Sequence, residues 1–190
     1  MIVSSKMAAR SPFGILDIGS SKLACLIARR SSANGILLLG QAMHAAEGVK
    51  QGEITDMNKF SAAVGKTVSA AERNADTTIS TIHIVTPGGN PALTKHVQTI
   101  DIHNQVISRR DIQRIANNNS HQNLPVGHVR IQNQPGLYQL DDQRQIENPL
   151  GMCGRQLSLQ FSQLSVSQTS YANFAQAVQQ CHLELGSIHH

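Results

Sequence analysis

Among the 190 residues, the run with the most chemistry in it is Asp17-Ile18-Gly19-Ser20-Ser21-Lys22. A glycine that reaches positive φ lets successive backbone N–H groups converge on an anion. The hydroxyls of Ser20 and Ser21 add donors, and Lys22 offsets phosphate charge. Asp17, at the end of an apolar run, is placed to hold a metal-bound water beside a phosphate. The expected phosphate-binding set is Asp17, Gly19, Ser20, Ser21 and Lys22; taken alone, a Gly-Ser turn of this kind also serves simply to join two strands. Other runs suggest less. Gly65-Lys66-Thr67 resembles the tail of a phosphate loop, but Phe60 stands where the first glycine belongs and the triplet falls inside a helical pattern. Nine histidines offer no HxxxH or HxH pair on an expected element, so solvated histidines are the better reading and no metal ligands are assigned. Cys153 has no Cys-His-Asn grouping, and no catalytic residue is assigned.

These residues need a scaffold. Phe13–Ile18 and Leu23–Ala28 are short apolar runs on either side of the Gly-Ser turn, and they predict a β-hairpin. Ser31–Gly35 is a second turn, with Asn34-Gly35 its sharpest signal. Ile36–Met43 then predicts a third strand, whose continuous apolar character suggests burial on both faces. A loop follows over His44–Thr55. Asp56 is a good N-cap, and Phe60, Ala63, Val64, Thr67, Val68 and Ala71 recur at helical spacing, so residues 57–74 form an amphipathic helix that packs on the sheet. Ser80–Val85 is a strand, and Thr86-Pro87-Gly88-Gly89-Asn90-Pro91 ends it at the best candidate boundary in the chain.

Beyond that boundary, His96–Ile102 alternates weakly as a strand. Ser108 with Asp111 opens a short helix over 109–118 in the manner of a capping box. Val126–Gln132 and Leu137–Leu140 predict two strands broken by Pro135-Gly136. Asp141–Gly154 is expected to be a polar loop, Gln156–Val166 a strand, and Thr169–Leu183 a helix.

Composition narrows the class. The chain is 40% hydrophobic and 3% aromatic, so its core rests on Leu, Ile, Val and Ala, and a deep aromatic pocket is not expected. Sixteen basic against twelve acidic residues give a net charge of +4 without a basic stripe, which argues against nucleic acid as a partner. No apolar run is long enough to span a membrane. The first residues, Met1–Ser11, are too short and broken for a secretory signal. Three unpaired cysteines suit a reducing compartment.

The order hairpin, third strand, helix, strand, with Asp17–Lys22 at the first turn, resembles the start of an actin-like ATPase domain. Two further stretches narrow the resemblance. Glu47–Asp56, EGVKQGEITD, is similar to the RGIKKGVIVD stretch of the bacterial cell-division FtsA family. Asn148–Gly154, NPLGMCG, is similar to that family's NPLGMSG. Gln168–Leu185 is similar to the helix that follows it. The similarity runs from about residue 13 to 185.

That resemblance implies an α/β fold: a partial actin-like (ribonuclease H-like) subdomain 1A over 13–87 and 167–190, with an inserted α/β subdomain 1C over 88–166. It implies ATP and Mg²⁺ as cofactors, with weak affinity in this chain and no hydrolysis by it alone, because a second phosphate loop and the adenosine pocket do not follow residue 185. It implies an actin-like scaffold that links the FtsZ ring to the cytoplasmic face of the inner membrane at the division site. Self-association through 1C and recruitment of later division proteins come with it; the FtsZ-binding subdomain and membrane-targeting helix are not in this sequence. One departure stands out: the family usually reads GISGSHI where this chain has Thr86–Ala92. The alternatives are a pilus-assembly actin homologue, or a sugar-kinase-like ATP-dependent enzyme that needs a second aspartate-glycine phosphate loop.

Overall fold

The computed structural model describes residues 11–31, 35–103, 105–117 and 124–190. The expected Asn34-Gly35 turn and the Met1–Ser11 segment fall largely outside those residues. The chain divides into two compact units. One comprises the described residues up to Pro91 together with Val166–His190, and the other is Ala92–Ser165.

In the first unit, β1 (Phe13–Ile18) and β2 (Lys22–Arg30) form the expected antiparallel hairpin, and β3 (Ile36–Ala45) adds to β2. Two short strands, β4 (Val49–Lys50) and β5 (Glu53–Ile54), lie inside the segment expected to be a loop. Their turn places Gln51 at φ 51° and Gly52 at φ 75°, the two left-handed residues of a tight hairpin turn. Helix α1 (Met57–Ala75) starts where Asp56 caps it, the Asp56 carboxylate accepting from Lys59 N at 3.0 Å. It buries the six residues that its spacing singled out and packs on β2 and β3. Strand β6 (Thr81–Val85) runs parallel to β1.

The inserted unit holds β7 (Ala92–Asp101), α2 (Arg109–Asn117), β8 (His128–Leu140), β9 (Gln143–Ile146) and most of β10 (Gln156–Ser167), in sheet order β7-β10-β8-β9. Helix α3 (Gln168–Gln180) and β11 (Glu184–His189) then return to the first unit, where β11 pairs parallel with β6. The first sheet is thus mixed and five-stranded, in order β11-β6-β1-β2-β3.

Further expectations need correction. Strand β3 is not buried on both faces: it is the sheet edge, and Ile36, Leu37, Leu38 and Met43 are exposed, Ile36 by 71%. The last turn of α1 reaches β3 at Gly40, where a Cβ would press on the Ala75 backbone, so Ile36–Leu38 extend past the helix. The expected break at Pro135-Gly136 does not occur, and β8 is continuous. The recorded β8–β9 pairs are at Tyr138 and Leu140, so Pro135 lies outside that paired stretch. The expected polar loop at 141–154 contains β9, reached by a turn at Asp141 (φ 47°); a strand without apolar alternation carries no periodic signal. Finally, α3 stops at Gln180, short of the expected Leu183, and Glu184–His189 is a strand for which no element was expected.

Candidate functional site

In an open sheet with parallel strands, ligands gather at the carboxyl ends of those strands, where the chain departs to opposite sides. Here that point lies between β1 and β6, neighbours in the sheet whose connection runs the long way through β2, β3 and α1. Three segments end there: Gly19–Lys22 after β1, Thr86–Gly89 after β6, and His189-His190 at the end of β11.

The first of these closes as a two-residue turn at Ser20-Ser21. Gly19 N donates to Lys22 O at 3.0 Å, and Ala46 N donates to Ser21 O at 3.0 Å, which ties the turn to the end of β3. Asp17, Ser20, Ser21 and Lys22 are exposed, and Asp17 stands in register with Ala24 of β2 and Val85 of β6. Gly19 does not take the left-handed conformation expected of it; the positive-φ glycines among the described residues are Gly48, Gly52, Gly89, Gly127 and Gly151. Its role is close approach: a Cβ would lie 3.0 Å from the Lys22 carbonyl oxygen. Its N–H is also spent inside the turn, so the donors left for an anion are those of Ser20, Ser21 and Lys22.

The second segment is held by residues that the sequence reading noted as a chain boundary and a family-like stretch but did not assign to a site. Thr86 N donates to His189 O at 3.0 Å, and the Thr86 hydroxyl accepts from Gly88 N at 3.1 Å. Gly88 packs directly on the Gly52 backbone, with no room for a Cβ on either residue. Glu53 accepts from Gly89 N at 2.7 Å through one oxygen and from the Ser170 hydroxyl at 3.0 Å through the other. Ser170 lies in the first turn of α3, where negative charge is favourable. The EGVKQGEITD stretch is therefore a clamp that fixes the segment after β6 and the start of α3. The stretch was noticed in the sequence only as a resemblance; glycine at both 52 and 88 was its physical signal. His190 completes the group, donating from Nε2 to Pro87 O at 2.9 Å.

In the inserted unit, NPLGMCG is a turn of similar purpose. Asn148 Oδ1 accepts from Leu150 N, Gly151 N donates to Ile107 O, and Ile107 N donates to Met152 O. These bonds lock the start of α2 over the core of Ile100, Ile102, Ile107, Ile115, Leu140, Leu157 and Leu159.

ATP with Mg²⁺ fits the first segment in part. Two exposed hydroxyls and an ammonium suit phosphate oxygens, and the exposed Asp17 carboxylate suits a water on Mg²⁺. Lys66 lies inside α1, as its helical pattern implied, and Cys153 is exposed and in no disulfide. Among the described residues no three of His, Cys, Asp and Glu converge as metal ligands, and no helix is long and apolar enough to cross a membrane.

Residues 88–164 match the family model described as the SHS2 domain inserted in FtsA. The cell division protein FtsA of Rhizobium meliloti (strain 1021) is 28% identical over 181 residues, which cover 90% of this chain and 41% of that protein. FtsA of Escherichia coli (strain K12) is 20% identical over 173 residues, 91% of this chain and 41% of that protein. The chain thus spans about two-fifths of the length of the curated relatives it matches. Of solved structures, the PilM-PilN type IV pilus biogenesis complex is similar at a TM-score of 0.56 and 14% identity, over 94% of this chain and 46% of that one, a likeness of fold. Motifs, fold and relatives agree: the chain is similar to the N-terminal part of FtsA, and its residues 88–164 match the SHS2 domain inserted there.

Proposed function

We propose that this chain serves cell division as FtsA-type proteins do, as an actin-like scaffold whose inserted unit makes the protein–protein contacts. The observation that carries the reading is the match of residues 88–164 to the FtsA insertion, in a unit with its own apolar core. On this reading residues 13–87 and 167–190 are a partial subdomain 1A and residues 88–166 are subdomain 1C. That unit self-associates and receives later division proteins at the cytoplasmic face of the membrane, where the FtsZ ring is tethered.

Nucleotide has a secondary part in the proposal. Ser20, Ser21 and Lys22 hold phosphate oxygens, and Asp17 orients a water on Mg²⁺. Bound Mg-ATP would supply the charge that draws the Gly19–Lys22 turn and the Thr86–Gly89 segment to one ligand. Exposed donors compete with water for phosphate, so the expected affinity is weak and Asp17→Ala abolishes what there is.

The test is a fluorescent fusion of the chain produced in dividing bacteria. The expected result is a band at mid-cell and elongated cells, both lost when Ile115→Ala loosens the inserted unit. Diffuse fluorescence with normal division would overturn the scaffold reading. Calorimetry with Mg-ATP on the wild type and Asp17→Ala tests the nucleotide part separately.

A further inference from the structure

Strands β6 and β11 carry a side-chain cluster that the phosphate site does not use. The Ser187 hydroxyl lies 2.7 Å from His83 Nδ1 and 2.7 Å from His189 Nε2. A hydroxyl has one proton, so it donates to one ring and accepts from the N–H of the other. Two imidazole nitrogens from adjacent strands are thereby aimed at a single point.

Three features of the backbone and its surroundings build this arrangement. The β6–β11 register shifts between Leu185 and Ser187, leaving Gly186 without a partner and setting Ser187 opposite His83. Bulges of this kind re-aim side chains. Gly186 also makes the space: a Cβ there would sit 2.6 Å from His83 Cε1 and 2.9 Å from its Nδ1. Phe13 closes the other side of the His83 ring, edge-on at 5.6 Å between centroids. The half-buried His83 is thus held by a wall and a hydrogen bond, while His189 reaches it from the exposed side, with 6.5 Å between the ring centroids.

We propose that His83 and His189 form a two-imidazole site for a divalent transition metal ion of the zinc and copper class. Neutral imidazole suits these ions, and Cu²⁺ binds such nitrogens more tightly than Zn²⁺. The two nitrogens are separated by no more than twice 2.7 Å. Metal–nitrogen bonds are about 2.0–2.1 Å, so a small inward rotation of the exposed His189 ring seats an ion between them. The Ser187 hydroxyl then turns aside, and water fills the remaining positions. A hard cation such as Mg²⁺ prefers oxygen ligands and has no place here. Bound metal would fasten β11 to β6 directly behind the Thr86–Gly89 segment.

The experiment is calorimetry of the full chain with ZnCl₂, CuCl₂ and MgCl₂, beside thermal melts in each salt. Expected are one Zn²⁺ or Cu²⁺ per chain, Cu²⁺ the tighter, no Mg²⁺, and a melting point that rises with the bound metal. His83→Gln and His189→Gln should each weaken binding at least about tenfold and remove the thermal shift. The exposed His189 keeps the test open if His83→Gln fails to fold. His190→Gln should change nothing, and Ser187→Ala should bind as well as or better than the wild type, because the competing hydroxyl is gone. Absence of stoichiometric binding overturns the proposal, as does binding that survives His189→Gln or disappears with His190→Gln.

Discussion

The five-stranded sheet and the four-stranded sheet bury their inner faces differently. In the first, Leu16 and Ile18 of β1, Leu23, Cys25 and Ile27 of β2, and Ile82 and Ile84 of β6 are apolar and buried along the length of each strand. In the second, the apolar residues gather at one end. Going along the β7–β10 pair, Ile100 faces Leu157, Gln98 faces Leu159, His96 stacks on Phe161, Thr94 faces Gln163, and Ala92 faces Ser165. Gln163 is fully buried, yet neither atom of its amide has a hydrogen-bond partner among the described residues. An unpaired buried amide costs about 1–3 kcal/mol, so this end of the inserted unit contributes little to its own stability. The units also fix their loops differently. The first combines backbone contacts that only glycine permits, at Gly48, Gly52 and Gly88, with carboxylates such as Glu53, whereas in the second Asp141 accepts from the N–H groups of Arg155 and Gln156, and Asp111 from Ser108. A backbone contact of that kind tolerates no added atom, whereas the Asp111 cap answers to pH.

Gly88→Ala should have the largest effect. The new methyl group overlaps the Gly52 carbonyl, backbone against backbone, and the expected loss is about 3 kcal/mol or more in urea unfolding. Near-neutral behaviour would show that the clamp yields and would blur the contrast between the units. Ile115→Ala comes next, at about 2–4 kcal/mol for a fully buried isoleucine. Hydrogen exchange should place that loss in residues 92–165 and leave β1, β2 and β6 protected; uniform loss of protection would mean that the units unfold as one.

The pH contrast is smaller. Hydrogen bonds from the Ser108 hydroxyl and then the Ser108 N–H hold the Asp111 carboxyl below its ordinary value, with Arg114 and His103 adding to the effect. A carboxyl depressed in the folded state stabilises fully above the ordinary value of about 4. That contribution fades as pH falls through the depressed value. Ser108→Ala should cost about 1 kcal/mol at neutral pH and flatten the acid sensitivity of α2, as followed by amide exchange. An unchanged acid profile would remove the cap from the comparison. Thiol labelling should leave stability untouched and still separate the units. Exposed Cys153 reacts first and Cys181 slowly. Cys25 stays protected, because burial, with the nearby Glu72 carboxylate, pushes its thiol up to about 12. Early reaction of Cys25 would show that the first core opens more readily than its packing implies.

Much of the scaffold was legible before the structure because its determinants are local. The β1–β2 hairpin follows from two apolar runs about a Gly-Ser turn. The six buried residues of α1 follow from their spacing, and the start of α2 follows from Ser108 and Asp111, three residues apart. The phosphate-site candidates Asp17 and Ser20–Lys22 were found for the same reason, since one short turn carries them all.

Tertiary structure decided the rest. An apolar run such as Ile36–Leu39 reads the same in the middle of a sheet as at its edge; only strand order made β3 an edge and left it exposed. Strands β9 and β11 have too few alternating apolar residues to announce themselves, and each exists through the partner that pairs with it. Pro135 interrupts a pattern in one dimension but stands outside the stretch that β9 pairs. Gly19 was chosen for closeness rather than handedness, a distinction invisible until the Lys22 carbonyl is placed beside it. Likewise Gly52 and Gly88, Glu53 and Ser170, and His83 and His189 are far apart along the chain, and none of these pairs has meaning until folding makes them neighbours. The sequence by itself determined which segments turn, cap and bury. Which of them touch depended on long-range packing, because contact energies act over a few ångströms whatever the separation along the chain.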